Sequence, residues 1–303
     1  MATTTSRRRP TVSRPLLRRR ARLLPVLPAV LLLLVFLAGP VLWAFHASFT
    51  NAALTGRNAR SPGWVGLENY QRLFTDPVLP LSLALTVVFV AGSAIVGQNL
   101  LGLAIAILMR RARRPVAAVV GTAVVAAWVL PEIVAAFAAY AYFSRDGTLN
   151  QVLGSVGLGQ PDWLYSFPMV AIMLANIWRG TAFSMLVYRA AIDDVPGEVT
   201  EAALMDGASG WQRLAYVTLP MIRGSIATNL MLITLQTLAV FTLIWVMTAG
   251  GPANASTTLP VLAYQEAFKF GDIGYGTAVA SVLILIGLVF GAAYVRLLRE
   301  PKQ

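Results

Sequence analysis

The chain has 303 residues, of which 57% are hydrophobic and only 12% are charged, roughly half the charged share of soluble domains. Its formal net charge is +11, and it contains one histidine and no cysteine. This composition excludes an ordinary soluble domain, a disulfide framework and a sulfur-ligated metal site, and it indicates a membrane protein.

Six apolar segments are long enough to cross a bilayer as helices. Four of them have charge-free cores, whereas the third carries Glu132 and the fourth carries Arg179. Pro131 removes a backbone donor beside Glu132, so we expect the third span to bend or open there. The predicted spans are residues 23–45, 82–108, 116–142, 167–189, 224–247 and 277–296.

The basic residues are distributed unequally between alternate loops. Eighteen of the 24 lysines and arginines lie on one set of loops and the tails, and five lie on the other set. Because cytoplasmic loops carry the excess of basic residues, both termini are predicted to be cytoplasmic. The predicted fold is an all-α integral membrane protein with a basic cytoplasmic tail (1–22) and one domain of six transmembrane helices (23–300). The tail has no aromatic residue on which bases could stack, so no nucleic-acid partner is expected.

The sequence offers no catalytic, metal or nucleotide site. The single histidine, His46, lies near the outer end of the first span, and no carboxylates cluster in the spans. A phosphate-binding loop needs lysine followed by serine or threonine, but Lys269 and Lys302 are followed by phenylalanine and glutamine. We therefore expect a chain that is not an enzyme and holds no metal, with any ATP bound by a partner.

Residues 193–220 form a polar island between the fourth and fifth spans. Asp193, Asp194 and Pro196 predict an acid-capped helix start, and residues 206–209 predict a turn with Ser209 as a second cap. The interpretation is a cytoplasmic hairpin of two short helices. Several of its apolar side chains would be costly to leave in water, so it is expected to dock on another surface: Leu204, Met205, Trp211 and Leu214. An amphipathic hairpin lying on lipid is the alternative, which the island's net acidity disfavours.

The island resembles the signature of the permease subunits of binding-protein-dependent ABC importers. That signature reads Glu-Ala-Ala, three residues, Gly, nine residues, Ile, one residue, Leu-Pro. Here Glu201 opens the Glu-Ala-Ala triplet, Gly207 follows at the same spacing, Val217 replaces Ile, and Leu219 precedes Pro220. Four further segments are similar to the carbohydrate branch of that family, which includes maltose and glycerol-phosphate permeases: residues 66–77, 176–209, 250–252 and 262–280.

The resemblance implies that the hairpin is a coupling helix seated in a cleft of a cytoplasmic ATPase. ATP-driven closure of two ATPase subunits would move it as a lever between inward-facing and outward-facing states. Glu201 would pair with a basic residue, Gly207 would permit the turn, and Trp211 and Leu214 would fill apolar hollows. The implied coupling residues are Glu201, Ala202, Ala203, Asp206, Gly207, Trp211, Leu214, Leu219 and Pro220.

The implied function is import of a sugar or oligosaccharide across the bacterial cytoplasmic (inner) membrane. Expected partners are a second permease subunit forming a heterodimer, two ATPase subunits that bind ATP and Mg, and an extracytoplasmic solute-binding protein. Glycerol phosphate or another small solute remains an alternative. Outside the family, Glu132 could serve an ion-coupled secondary transporter or a membrane enzyme with a carboxylate-only site.

Polar residues inside otherwise apolar spans are candidates for the solute path, since amides hydrogen-bond sugar hydroxyls. The alternative for each is hydrogen bonding between packed spans. Buried opposite charges often pair, which raises the hypothesis of an ion pair between Glu132 and Arg179. The candidates are Gln98, Asn99, Glu132, Asn176, Arg179, Asn229 and Gln236.

Overall fold

The structure, a computed structural model, describes residues 27–298, with side chains up to Arg296. The predicted basic tail (1–22), the beginning of the first predicted span (23–26) and residues 299–303 lie outside this range. Residues 27–298 form helices and turns, and the one extended pairing within them is an isolated bridge between Thr50 and Trp64.

The helices follow one another along the chain with short connections. In order they are α1 (Leu27–Ala47), α2 (Arg57–Arg60), α3 (Glu68–Thr75), α4 (Val78–Arg111), α5 (Arg114–Val129), α6 (Glu132–Phe143), α7 (Thr148–Ser155), α8 (Trp163–Ser166), α9 (Pro168–Asp193), α10 (Gly197–Met205), α11 (Gly210–Met221), α12 (Arg223–Leu238), α13 (Thr242–Thr248), α14 (Leu259–Tyr264, continued by the π-helical Gln265–Lys269) and α15 (Ile273–Leu298).

The described residues up to His46 belong to one compact unit, and those from Ala47 onward belong to a second. Within α1, Ala47 is the one buried residue, and a π-helical turn occupies Leu34–Ala38. This exposure matches the apolar composition of α1, because a helix that is hydrophobic all round suits a lipid surrounding.

Four helices of the described residues are long and apolar enough to cross a membrane, and two bent pairs raise the number to as many as six. The four are α1, α4, α9 and α15. The bent pairs are α5 with Glu132–Ser155, at 107°, and α11 with α12, at 70°. All six predicted segments therefore have a counterpart. The bend expected at Pro131 is present, because Leu130 and Pro131 have extended backbones between α5 and α6.

The fifth predicted span is wrong at its far end. It was expected to continue to residue 247, but α12 ends at Leu238 and a separate helix begins at Thr242. The N–H groups of Ala239 and Val240 donate to the carbonyls of Gln236 and Thr237, 3.3 and 3.1 Å away. This tight turn ends the helical hydrogen-bond ladder and redirects the chain.

The core is organised around α9, which contacts α4 most extensively. Towards one end of α9, Ile172 packs with Phe89 and Ile244, and towards the other Met185 packs with Tyr188 and neighbours from α4 and α12. A third cluster gathers around the buried Tyr275 where α3, α14 and α15 meet.

Glycines allow α4 and α9 to approach closely. A Cβ added to Gly102 would lie 2.5 Å from the Cβ of Ser184 and 2.9 Å from the backbone nitrogen of Met185. A Cβ on Gly180 would lie 2.3 Å from the side-chain carbon of Gln98. Small residues at such contacts are typical of membrane helix packing. Part of α4, Val90–Gln98, is π-helical.

Candidate functional site: the hairpin and the polar interior

The island between the fourth and fifth spans folds as two short helices joined by a turn, as predicted. Gly207 has a φ of +81°, in the left-handed region that favours glycine. The Ser209 hydroxyl accepts from the Gln212 backbone, and the Gln212 side chain accepts in return from the Ser209 backbone. This capping box fixes the start of α11.

The acidic helix start predicted at Asp193 and Asp194 is wrong. Asp193 is the last residue of α9, and Asp194 follows it with its N–H donated to the carbonyl of Ala190. Pro196 itself precedes α10, and no side chain caps that helix. The reason is that α9 continues four residues beyond the predicted end at 189, which places Asp193 3.9 Å from Arg189 on the same helix.

Apolar side chains of the hairpin protrude into the surroundings. Met205 is 86% exposed, Trp211 is 71% exposed and Leu204 is 54% exposed, whereas Leu214 is half-buried. Glu201, Ala202, Asp206, Gly207 and Pro220 are also exposed, and Ala203 and Leu219 are half-buried. An exposed cluster of this kind marks an interaction surface.

Tyr216 belongs to the same surface, although the sequence analysis missed it. It is 78% exposed and lies in the π-helical stretch Leu214–Thr218 of α11. Trp211 precedes this stretch, in the α-helical Gly210–Arg213. The hairpin therefore exposes two aromatic side chains within six residues of one another.

Four of the predicted solute-path residues form hydrogen bonds between helices. The Gln98 amide donates to the Asn176 carbonyl at 3.1 Å, and the Asn176 amide donates to the Ser93 hydroxyl at 2.8 Å. The Asn229 amide donates to Ser184, Tyr188 and Asn99, at 3.1, 3.0 and 3.4 Å, and the Tyr188 hydroxyl donates to the Asn99 side-chain oxygen.

The remaining three candidates are less constrained. Gln236 is exposed on α12, while Glu132 and Arg179 are half-buried. The Nε of Arg179 is shielded from solvent and has no hydrogen-bond partner. Arg179 therefore retains a donor that could bind another group.

The hypothesised ion pair between Glu132 and Arg179 does not form. Within residues 27–298, the ion pairs are Arg72 with Glu266, Arg72 with Asp272, and Arg189 with Asp193. Glu132 is the first residue of α6, where the positive end of the helix dipole stabilises a carboxylate without a basic partner.

A second polar cluster, which we call the outer network, was not predicted. Arg72 on α3 donates to Asp272 at 2.6 Å and to Glu266 at 3.4 Å, and its guanidinium stacks over the Tyr275 ring. The Tyr275 hydroxyl donates to Asp76 at 2.5 Å. Burial raises the pKa of Glu266; the nearby Arg72 opposes this shift, and Asp76 and Asp272 add to it. The sequence signal for this network was the presence of charged residues in both segments 66–77 and 262–280.

Comparison with known proteins identifies the family. Residues 98–302 match the family described as the binding-protein-dependent transport system inner membrane component. The chain belongs to this family. The resemblance inferred from the island's signature is thus confirmed, and the chain is a multi-pass membrane protein.

Two named relatives align with nearly the whole chain. The trehalose/maltose transport system permease protein MalF of Thermococcus litoralis is 31% identical over 283 residues, which are 92% of this chain and 94% of that protein. The sulfoquinovosyl glycerol transport system permease protein SmoG of Agrobacterium fabrum is 30% identical over 293 residues, 92% of this chain and 91% of that protein.

A solved structure shares the fold. It is the crystal structure of a bacterial alginate ABC transporter in complex with an alginate pentasaccharide-bound periplasmic protein, and one of its chains aligns with a TM-score of 0.79. The alignment covers 93% of this chain and 95% of that chain at 21% identity. At this identity the likeness supports the arrangement of helices alone.

Proposed function

We propose that the chain is the transmembrane permease subunit of an ATP-driven importer for a sugar or oligosaccharide, forming half of the translocation pathway. The family assignment and the sugar-named relatives MalF and SmoG support this proposal. The chain would lie in the bacterial cytoplasmic (inner) membrane with both termini and the hairpin on the cytoplasmic side, in keeping with the distribution of its basic residues.

The exposed hairpin is the observation that carries the coupling role. Trp211, Met205 and Tyr216 are exposed in the segment that matches the family's signature, and Glu201 of the same segment is exposed too. Aromatic anchors beside a charge that can pair are typical of protein interfaces. The hairpin would seat in a cleft of a separate ATPase chain and transmit its closure to α9 and α12.

The expected assembly contains a second permease subunit, two ATPase subunits and an extracytoplasmic solute-binding protein. The two permeases would form a heterodimer, and the ATPase subunits would bind ATP and Mg, which this chain is not expected to bind. The lipid bilayer surrounds the spans.

An anionic solute is the second candidate, and Arg179 favours it. The Nε of Arg179 is shielded from solvent without a hydrogen-bond partner in the otherwise apolar α9. A charge at such depth usually faces a cavity or a functional partner. The anionic group of glycerol phosphate or of a sugar acid could pair with the Arg179 guanidinium. A neutral sugar could accept a hydrogen bond from Arg179 but would leave its charge unpaired.

Co-purification tests the coupling role. The tagged full-length chain is purified in mild detergent from its own host's membranes, and the bound ATPase is quantified by mass spectrometry. Wild-type chain should retain an ATPase and a second permease. Glu201→Lys and Trp211→Ala should each lose ATPase by about tenfold, because an interface anchor contributes about 1–3 kcal/mol, and should keep the second permease.

Tyr165→Ala is the matched control for Trp211→Ala. Tyr165 is 68% exposed but lies at the other end of α9 from the hairpin, in α8. It should retain the ATPase fully. Absence of an ATPase from wild-type samples, or equal retention in all variants, would contradict the proposal. Uptake of labelled maltose and glycerol phosphate by the purified assembly in vesicles then separates the neutral from the anionic solute.

A further inference from the structure

A cavity of about 280 Å³ lies between the hairpin, the end of α4 and the end of α9. Its lining includes Ile192, Thr200, Gly210 and three arginines, Arg110, Arg111 and Arg213. A single water molecule needs only about 10–15 Å³ by the same kind of measure, so the space admits a larger group. We call this space the arginine cavity.

Positive charge in the arginine cavity has no compensating carboxylate. Within residues 27–298, no ion pair involves Arg110, Arg111 or Arg213. The neighbouring cavity shares Arg110 and Ile192, and it adds two further arginines and one acid, Asp193, which lies 3.9 Å from Arg189. The excess of cations favours an anion at this place.

Two residues of the lining each carry a polar atom that lacks the partner shielded groups normally have. The Nε of Arg213 and the hydroxyl of Thr200 are both inaccessible to solvent and make no hydrogen bond. Unsatisfied shielded donors are rare and point to a missing group. Arg111 contributes from the opposite wall, since its Nη2 would lie 3.3 Å from a Cβ built on Gly210.

We propose that the arginine cavity binds a phosphate group. A tetrahedral phosphate presents several acceptor oxygens, which suit guanidinium forks from two sides and the Thr200 hydroxyl. The group could belong to the headgroup of an anionic phospholipid, since basic pockets between helix ends at the cytoplasmic face bind such headgroups. It could also be free inorganic phosphate, and the experiment separates these two sources.

The bound phosphate would tie the hairpin to α4. Arg110 and Arg111 end α4, whereas Arg213 and Thr200 belong to α11 and α10. One anion would therefore link the proposed coupling segment to a transmembrane helix that is remote from it in sequence. The inference rests on the proposed function in one respect: the proposed function places the cavity on the cytoplasmic side of the membrane. Binding of the phosphate group does not itself require the ATPase.

The test measures lipid retention directly. The full-length chain is purified with whatever partners it retains, incubated with equal amounts of phosphatidylglycerol and phosphatidylcholine in detergent, and analysed by native mass spectrometry. Wild-type chain should retain phosphatidylglycerol selectively. The double variant Arg111→Gln with Arg213→Gln should lose this selectivity by about tenfold, because two charge-assisted hydrogen-bond donors are removed. Arg213→Lys should lose less, since it keeps the charge but not the fork.

Arg296→Gln is the matched control, because Arg296 is exposed at the end of α15 and lies outside the cavity. It should keep wild-type selectivity. If free phosphate is the ligand, wild type should show no preference for phosphatidylglycerol, and inorganic phosphate should raise the unfolding temperature of wild type but not of the double variant.

Two outcomes would overturn the proposal. They are equal retention of both lipids by wild type without any stabilisation by inorganic phosphate, and an equal loss of selectivity in Arg296→Gln. If no ATPase co-purifies, that result counts against the proposed function. It does not affect the phosphate proposal, which is decided by lipid selectivity and by stabilisation with inorganic phosphate.

Discussion

The guanidinium of Arg72 lies 3.8 Å from the centre of the Tyr275 ring. Arg72 belongs to α3 and Tyr275 to the first turn of α15, so the contact joins the segment before α4 to the last helix of the described residues. Asp272 and Asp76 extend it on either side through bonds of 2.6 Å to Arg72 and 2.5 Å to Tyr275. The outer network therefore fastens three helix ends together at a single place.

Replacing Arg72 should loosen this junction. Arg72→Gln removes two ion pairs and the cation–π contact, and it leaves the carboxylates of Glu266 and Asp272 close together. Because the Arg72 side chain is 49% exposed, we expect a loss of only about 1 kcal/mol of unfolding free energy. Thermal unfolding in detergent measures it. Arg57→Gln, at an exposed position of α2, is the control, and an equal loss there would contradict a specific role for the network.

Ionisation of Glu266 should lower the stability of the folded chain as the pH rises. Burial raises its pKa above the ordinary 4.5, so the folded state binds the proton more tightly than the unfolded state. Stability from this group is present in full below 4.5 and is lost as pH rises through the raised pKa. Glu266→Gln mimics the protonated form. Its unfolding temperature relative to wild type should thus be higher at neutral pH than at pH values near 4.5. A difference that does not change with pH would refute this assignment.

Gly102 should tolerate no side chain. Gly102→Ala places a Cβ 2.9 Å from the backbone of Met185 on α9, where no side chain can rotate away. We expect a loss of about 1–3 kcal/mol from overpacking. Gly291→Ala is the matched control on α15, because a Cβ there meets no atom within 4 Å, and it should be neutral or stabilising. Unfolding in detergent compares the two variants.

Substitutions of Asn229 and Gln236, which both lie on α12, should distinguish a structural role from a role in transport. Asn229 is fully buried and donates to three residues, so Asn229→Leu should cost about 1 kcal/mol of stability. Gln236 is exposed, and Gln236→Leu should leave stability unchanged. If Gln236 contacts the solute, uptake by the assembled importer should fall in Gln236→Leu alone at equal protein levels. Unchanged uptake would remove it from the candidate path.

The turn at Gly207 should show a graded response to substitution. Its φ of +81° lies in the left-handed region, yet a Cβ there meets no atom within 4 Å, so the cost is conformational rather than steric. Gly207→Ala should cost about 1 kcal/mol, and Gly207→Asn less, because asparagine tolerates this region. The proposed coupling predicts the same order in solute-stimulated ATP hydrolysis. Equal activity of Ala and Gly forms would mean that the turn does not limit coupling.

The sequence predicted those features that depend on local signals. The six apolar segments, the bend at Pro131, the turn at Gly207 and the cap at Ser209 all arise from residues within a few positions of one another. Each involves a property that a short window reveals: apolar length, a missing backbone donor, tolerance of positive φ, or a side-chain acceptor before a helix.

Features that depend on distant contacts or on altered helix geometry were not predictable. The outer network pairs Arg72 with residues near the far end of the chain, and nothing in either segment indicates which charges meet. Tyr216 was missed because a sequence window does not show that its side chain is exposed. For the amides Asn176 and Asn229 both solute contact and interhelical bonding stayed open, because a window cannot show that Ser93 and Ser184 lie opposite them on neighbouring helices.

The π-helical segment of α4 determines which side of that helix faces α9. On a regular helix a step of four residues turns about 40° past a full revolution, so six such steps would carry a row of side chains about 240° around the axis. The i to i+5 bonds of Val90–Gln98 absorb part of this rotation. Buried residues consequently recur at every fourth position, at Ser82, Thr86, Val90, Ala94, Gln98, Gly102 and Ala106. Replacing the i to i+5 bonds of Val90–Gln98 with regular i to i+4 bonds would turn the following half of α4 relative to the preceding half and move Gln98 and Gly102 away from α9. The bond pattern of those nine positions therefore keeps the two halves of the buried row on one side of the helix.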